Sequence, residues 1–255
     1  MTEGILLYAF NNEVTDYEAI AEWSAKRIKK YLGLPTTIIT DRNAIAEFGG
    51  SRIMHPTQNR ELATWFNAGR YHAWEHSPYD QTIILDADYI VSSDLLLRLF
   101  DSPLEFACHQ SVLDVTGRNN FHSHNFFGRH KFPQTWATVC YFKKNNFTRD
   151  VFDFVKMIKE NYSHYSRLYN FNRKPFRNDY AFSIALSVLQ GHRISNKHKI
   201  PWNLPTASTD VEISIDKDTI TLEYNKHTTP KRLKLKGQDL HLLNKISLEK
   251  AVESA

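Results

Sequence analysis

The 255-residue sequence is poor in cysteine and lacks any apolar run long enough to span a membrane. Its two cysteines, Cys108 and Cys140, show neither the spacing of a metal site nor that of a redox pair, so a reduced compartment is the simplest interpretation. The opening residues MTEGILLYAF lack a basic region followed by a long apolar segment, which argues against a secretory signal. We therefore expect a soluble, cytoplasmic protein without membrane contact.

The composition is that of a folded domain with an uneven charge. Hydrophobic residues make up 42% and aromatic residues 13% of the chain, which allows a sizeable core and excludes a disordered protein. Without internal repeats or linkers, residues 1–255 are expected to form one domain. Residues 1–100 hold nine Lys/Arg and 13 Asp/Glu, whereas residues 101–255 hold 23 and 15. The basic second half indicates an anionic partner, with an ordinary solvated surface as the alternative.

The first half of the chain alternates strand and helix patterns. Residues 4–10 and 36–40 are apolar runs of strand length, and residues 16–32 between them carry apolar side chains at helical spacing. This order predicts a parallel sheet. The pattern continues with a helix over 60–76, a strand over 82–85 and a short helix over 92–100, capped by Ser92 or Ser93.

The second half begins with an irregular stretch, residues 109–135, which we interpret as a long functional loop. His122 and His124 within it lack cysteines nearby, so a mobile or acceptor-facing loop is favoured over a zinc site. The remaining elements are a strand (137–144), two helices (148–162, 179–189), a hairpin (211–224), a late strand within 233–243 and an end that frays (247–255). The expected fold class is α/β, with a mostly parallel central sheet flanked by helices and a small C-terminal β-hairpin region.

Two carboxylates, Asp86 and Asp88, follow the buried strand in TIILDADYIV. Ligands of open α/β sheets bind beyond the carboxyl ends of the strands. Unpaired carboxylates there would repel each other, whereas Mg²⁺ or Mn²⁺ favours their oxygens and can hold a diphosphate. Asn11 and Asp41 follow strands that should lie beside this one, so they are expected at the same edge. Turn and helix-cap hydrogen bonds are the alternative role for each of these residues.

Residues 69–91 resemble the central segment of the glycogenin-like glycosyltransferases (family 8 type), which use nucleotide sugars and have the GT-A fold. The similar positions are Arg70, His72, Trp74, Tyr79, Leu85, Asp86, Ala87, Asp88 and Val91. The resemblance implies a GT-A, Rossmann-like fold, with residues 1–100 as the nucleotide-binding half and residues 101–255 as the acceptor-binding half. It also implies Mn²⁺ or Mg²⁺ held by the two aspartates, and Arg70 as a contact to phosphate or donor sugar, for which a guanidinium is well suited.

Weaker similarity to this family extends along the chain. The strand ending in Ala9-Phe10-Asn11 is similar to the nucleoside-binding strand, and Asp41 takes the position of a uridine contact. These matches imply that Ala9, Asn11 and Asp41 contact the nucleotide sugar, and that the donor is linked to UDP.

The later segments carry the rest of the resemblance. GQDLHLLNK (237–245) implies His241 as third metal ligand and Lys245 as a diphosphate contact. RNDYAFSIAL (177–186) implies that Asp179 is a general base or acceptor contact. WATVCYF (136–142) is similar to the strand beside the reaction centre but has Ala137 and Thr138 in place of Asn-x-Gly.

The acceptor is suggested by composition. Residues 167–199 hold seven Lys/Arg among aromatic residues, a mixture typical of nucleic-acid contacts: Arg167, Arg173, Lys174, Arg177, Arg193, Lys197 and Lys199, with Tyr169, Phe171, Phe176 and Tyr180. One hypothesis is therefore sugar transfer to a hydroxylated base in DNA, a chemistry of bacteriophage GT-A enzymes, which would take place in a host cytoplasm. Protein, glycan and small-molecule acceptors are the alternatives.

Two other functions are compatible with parts of the sequence. A haloacid-dehalogenase-type phosphatase also has D-x-D after an apolar strand, with Asp86 as nucleophile, but its motif normally follows the first strand. A nucleic-acid-binding protein on a GT-A scaffold without catalysis would explain the basic half and leave Asp86, Asp88 and His241 without a purpose.

Overall fold

The computed structural model describes residues 1–12, 14–40, 51–54, 68–119, 126–171, 176–193 and 197–254, with only the backbone at 51–54 and 68. The strands of the central sheet are Glu3–Tyr8 (β1), Thr36–Thr40 (β2), Ser51–Met54 (β3), Gln81–Leu85 (β4), Phe106–His109 (β6) and Trp136–Lys143 (β10). Their order is β3-β2-β1-β4-β10-β6. The first four strands are mutually parallel, and β10 runs antiparallel to β4 and β6. The predicted α/β class with a mostly parallel central sheet is confirmed.

Helices flank this sheet. The helices are Tyr17–Leu32 (α1), Ala73–His76 (α2), Asn146–Glu160 (α3), Tyr162–Leu168 (α4), Asn178–Leu189 (α5) and Lys245–Glu253 (α6), with 3₁₀ helices at Ala68–His72 and Leu95–Leu99. α1 begins where the Asp16 side chain accepts from the backbone N–H of Glu18 and Ala19, and it ends at Gly33, whose φ of 70° is left-handed. The predicted helix over 60–76 is described only from residue 68 onwards.

Side-chain alternation along the central strands builds a core on each face of the sheet. Ile5 and Leu7 of β1 belong to one apolar cluster, whereas Leu6 and Tyr8 belong to the other. α1 packs into the first cluster, and α3 and α5 pack into the second. With both faces covered, the polar groups at the strand ends are left to form the walls of a cleft.

Three smaller sheets complete the fold. Tyr89–Ile90 (β5), Val112–Asp114 (β7), Leu204–Ala207 (β11) and Leu240–Leu242 (β15) form one sheet in the order β5-β15-β11-β7. Glu212–Asp216 (β12), Thr219–Lys226 (β13) and Thr229–Lys236 (β14) form an antiparallel sheet, so the predicted hairpin gains a third strand. Phe126–Phe127 (β8) pairs with Phe132–Pro133 (β9).

Some local predictions were wrong. Residues 245–253 form α6 instead of fraying, because Leu248 and Ala251 are buried against the rest of the fold. The described parts of the stretch 109–135 contain β7, β8 and β9 instead of a continuous loop. The 3₁₀ helix at Leu95–Leu99 has Asp94 and not Ser92 or Ser93 at its N-cap position, although the Ser93 hydroxyl accepts the Leu95 N–H at 3.3 Å. Within the described ranges, no helix has the length and apolarity that crossing a membrane requires.

Candidate active site

A cavity of about 360 Å³ opens beyond the carboxyl ends of β1 and β4. Its charged lining is balanced among the described residues, with three carboxylates and three cationic side chains: Asp86, Asp88, Asp179, Arg70, Arg177 and Lys245. Tyr8, Tyr17 and Trp136 add aromatic surface. The position is the one at which open α/β sheets bind their ligands.

Asp86, Asp88 and His241 come together at one end of this cavity. Their ligand atoms all lie within 4.8 Å of one another. Asp88 and Asp86 follow β4, while His241 arrives on β15, where it pairs with Tyr89 of β5. Two carboxylates and one imidazole this close together could hold one divalent ion between them.

The chemistry of this group fits a hard divalent cation. Asp88 is 5% exposed, and among the described residues its Oδ1 atom has no hydrogen-bond partner. A buried carboxylate oxygen without a donor is costly unless a cation occupies its lone pairs. His241 is buried, and burial lowers the pKa of its imidazole, which favours the neutral form that binds metals. Its Nδ1 atom lies 3.4 Å from Thr206 Oγ1, which leaves Nε2 facing Asp88 at 3.8 Å.

Each aspartate also has a cationic side chain as partner. Arg70, 2% exposed, pairs with Asp86 and donates to the backbone oxygen of Ala137. Burial raises the pKa of Asp86, but Arg70, His241 and Lys245 lower it by more, so the pKa lies below its usual value. Lys245 pairs with Asp88, and burial lowers the pKa of the Lys245 ammonium to about 8. Arg70 therefore fixes the orientation of Asp86, and its predicted phosphate contact stays a prediction.

Asp179 lies in the first turn of α5 and faces the cavity. Its Oδ1 atom accepts the backbone N–H of Ala137 at 2.8 Å, and its Oδ2 atom pairs with Arg177 at 2.7 Å. The carboxylate thus does not cap the helix through a side-chain hydrogen bond, which was the alternative role. Whether it acts as a base stays a prediction.

Ala137 joins the two sides of the site through its backbone. Its N–H donates to Asp179, and its C=O accepts from Arg70, which in turn holds Asp86. One peptide segment of β10 therefore sets the separation between the Asp-x-Asp carboxylates and the acidic side chain at the start of α5.

Asp239 is a site residue that sequence reasoning missed. It is 3% exposed, and its carboxylate accepts the Ser92 and Ser93 N–H groups at 2.7 and 2.8 Å, and the Tyr89 hydroxyl at 3.1 Å. These bonds tie the start of β15, which carries His241, to the segment that follows Asp88. An acidic residue two positions before His241, at the edge of a buried strand, was the signal that could have revealed it.

The predicted nucleoside contacts are placed differently from one another. Asn11 uses its side chain at the start of α1: its amide donates to Asp16 at 2.7 Å, and its oxygen accepts the Glu18 N–H at 2.9 Å. Ala9 is buried in the core. The described cavity lining includes the neighbouring Asn12 instead of either residue. Asp41 lies outside the described residues, so its predicted uridine contact stays a prediction, as do those of Ala9 and Asn11.

In the described part of the basic and aromatic stretch 167–199, three of the aromatic side chains are buried and form no stacking surface. Tyr169, Phe171 and Tyr180 are buried together with Phe127 in the second core cluster. Their rings pack against one another, so they are unavailable to nucleic-acid bases in this structure. Arg167, Arg193 and Lys197 are exposed, while 173 and 174, like His122 and His124, lie outside the described residues.

Comparison with known proteins finds a partial likeness to solved structures. No protein-family profile and no curated sequence matches the chain. Among solved structures, glycosyltransferase GlyE of Streptococcus pneumoniae TIGR4 is 14% identical with a TM-score of 0.46, over 78% of this chain and 44% of its own. Galactosyltransferase LgtC, in complex with donor and acceptor sugar analogues, is 14% identical with a TM-score of 0.46, over 72% and 70%. Mouse xyloside xylosyltransferase 1 is 12% identical with a TM-score of 0.44, over 75% and 83%.

This chain thus spans less than half the length of the pneumococcal protein. At these values the likeness says nothing about what the chain binds. The function therefore has to be argued from the residues of the cavity itself.

Proposed function

We propose that this protein is a metal-dependent glycosyltransferase that moves a sugar from a nucleoside diphosphate sugar, UDP-linked, to an acceptor hydroxyl. The observation that carries the proposal is the convergence of Asp86, Asp88 and His241 within 4.8 Å, in a cavity that also holds three cationic side chains. Acidic ligands alone suit a cation, and cationic side chains alone suit an anion. A site with both fits a diphosphate that arrives together with a divalent ion.

Asp86, Asp88 and His241 would hold Mn²⁺ or Mg²⁺, which when bound supplies positive charge to the diphosphate of the leaving nucleotide. Lys245 and Arg177 line the same cavity and can donate to phosphate oxygens. Arg70 keeps Asp86 in place. The acceptor oxygen forms a bond to the anomeric carbon while the bond from that carbon to the diphosphate oxygen breaks. The hydroxyl proton passes to a base, for which Asp179 is the candidate in the cavity wall.

A thermal-shift screen of nucleotide sugars with and without Mn²⁺ tests this proposal. We expect one donor to raise the melting temperature only when the ion is present, because binding stabilises the native state by mass action. Asp88→Asn should abolish this shift, while Asp94→Asn, the same change at an exposed site nearby, should leave it intact. No ion-dependent shift with any donor would refute the proposal.

The phosphatase alternative predicts a different outcome. Asp86 follows β4, which three strands precede among the described residues, and its carboxylate is paired with Arg70. Hydrolysis of p-nitrophenyl phosphate that depends on Asp86 would favour the phosphatase. A non-catalytic binding protein would instead keep its nucleic-acid affinity in Asp88→Asn.

For the acceptor, we propose DNA that carries a hydroxylated base. Support comes from charge: β14 exposes Lys231, Arg232, Lys234 and Lys236 on one strand, and Arg167, Arg193 and Lys197 are also exposed. Such side chains contact phosphates and position a nucleic acid without reading its sequence. Transfer of a labelled sugar to hydroxymethylated but not to unmodified DNA tests this acceptor. Absence of incorporation at saturating donor removes DNA and returns the choice to protein, glycan or small-molecule acceptors.

A further inference from the structure

The ammonium group of Lys245 lies against the carboxylate of Asp88. It forms an ion pair with Asp88 Oδ2, the same oxygen that faces His241 Nε2 at 3.8 Å. The ammonium also donates to the backbone oxygen of Leu242 at 3.0 Å, and the side chain is 26% exposed. A positive charge of the protein's own thus lies against the group that would hold a metal ion.

The charge count of the cavity shows what this arrangement does. The described lining has three carboxylates and three cationic side chains, so it is formally neutral with His241 uncharged. A divalent cation alone would leave the site with two excess positive charges beside Lys245. A diphosphate alone would leave excess negative charge beside Asp86 and Asp88. Only the two together keep the buried site close to neutral, which a low-dielectric environment favours.

The position of Lys245 allows its side chain to exchange partners while its backbone stays fixed. Lys245 is the first residue of α6, and the preceding Asn244 accepts the Ser247 N–H at 3.1 Å and donates to the Val211 oxygen at 3.0 Å. These bonds fix the helix start. The four-carbon stem of lysine is flexible, so the ammonium can leave Asp88 for a phosphate oxygen without movement of the helix.

We propose that Lys245 is an internal counter-ion that competes with the metal for Asp88 and thereby couples metal binding to diphosphate binding. The ammonium holds Asp88 when the cavity is empty of both. Its release by a diphosphate makes Asp88 available to the cation, so each ligand raises the affinity for the other. This inference rests on the proposed function, since it concerns the same metal and diphosphate.

Replacement of Lys245 gives two effects of opposite sign. In Lys245→Met, we expect the Kd for Mn²⁺ without nucleotide to fall about tenfold, because the competing charge is gone, and the Kd for UDP at saturating Mn²⁺ to rise about tenfold. A purely structural role for Lys245 would weaken both. Isothermal titration calorimetry on the full chain measures both dissociation constants. Electron paramagnetic resonance monitors the concentration of free Mn²⁺.

Two further variants serve as controls. Lys250→Met makes the same change at an exposed position of α6 and should alter neither constant. Lys245→Arg keeps the charge and should retain weak Mn²⁺ binding. If the unaltered chain binds both ligands but Lys245→Met binds Mn²⁺ no more tightly, the inference is overturned and the proposed function stands. If the unaltered chain binds neither, the proposed function fails, and the inference with it.

Discussion

Removal of the Arg70 guanidinium should destabilise the fold more than any exposed arginine does. Arg70→Met leaves Asp86 without its closest cation and the Ala137 oxygen with only the weak thiol donor of Cys140. Loss of one partner of a buried ion pair typically costs about 3–5 kcal/mol. Because the Asp86 side chain is 25% exposed and water can replace part of the interaction, we expect about 2–3 kcal/mol.

Urea unfolding measures this loss. With a slope of about 3 kcal/mol per M, the midpoint should fall by about 1 M. Arg98→Met, at an exposed position, should change stability by less than about 0.5 kcal/mol.

A double-mutant cycle separates the ion pair from lost packing. Asp86→Asn alone leaves Arg70 buried beside a neutral partner, so it should also destabilise the protein. The double variant Arg70→Met/Asp86→Asn should be more stable than the sum of the single losses predicts, by about 1 kcal/mol or more. Strict additivity, or an Arg70→Met midpoint equal to that of the parent, would contradict the assignment of Arg70 as the residue that holds Asp86.

Three other predictions concern separate parts of the structure. Asp239→Ala should weaken Mn²⁺ binding about tenfold in calorimetry, because it removes the hydrogen bonds between the start of β15 and the segment after Asp88. Asp239→Asn should retain most of the affinity. If Asp239→Ala and the parent bound Mn²⁺ equally well, this role of Asp239 would be excluded. Burial lowers the pKa of His109 to about 3, so the unfolded chain binds the extra proton below pH 6.5, and stability falls as pH drops towards 3. His109→Gln should remove about 2 kcal/mol of the stability difference between pH 7 and pH 5 in urea unfolding, and an unchanged difference would refute this. Gly4→Ala should lower the melting temperature, because a Cβ atom there would lie 2.4 Å from the Tyr79 ring. In the double variant with Tyr79→Leu, the loss should be smaller. A loss of the same size in the double variant would count against this contact.

Local sequence patterns predicted the strands that position Asp86, Asp88 and His241. The apolar run before Asp86 became β4, and the helical spacing over residues 16–32 became α1, because both patterns act over a few residues. Strand direction is not encoded locally, so the antiparallel β10 could not be read from WATVCYF. The Arg70–Asp86 and Lys245–Asp88 pairs also depend on long-range packing, which leaves no trace in the spacing of the residues.

The same limit explains the residues that were placed wrongly or missed. The aromatic residues of 167–199 were interpreted as an exposed surface because basic neighbours surround them in sequence, yet the fold turns the rings inward. At the C-terminus, only the contact of Leu248 and Ala251 with the core decides that the polar segment is helical. The ligand contact of Asn11 stays a prediction, and its hydrogen bonds to Asp16 and Glu18 lie at the start of α1.

The bridge through Ala137 has a consequence for which sequence changes the cavity can tolerate. Both of its bonds use main-chain atoms, so the side chain at position 137, which is buried in the second apolar cluster, takes no part in them. Exchange of that methyl group for hydrogen would keep both main-chain hydrogen bonds and remove one methyl group from the apolar packing of this cluster. The link between Asp86 and Asp179 accordingly depends on the course of the β10 backbone at position 137 and not on the chemistry of its side chain.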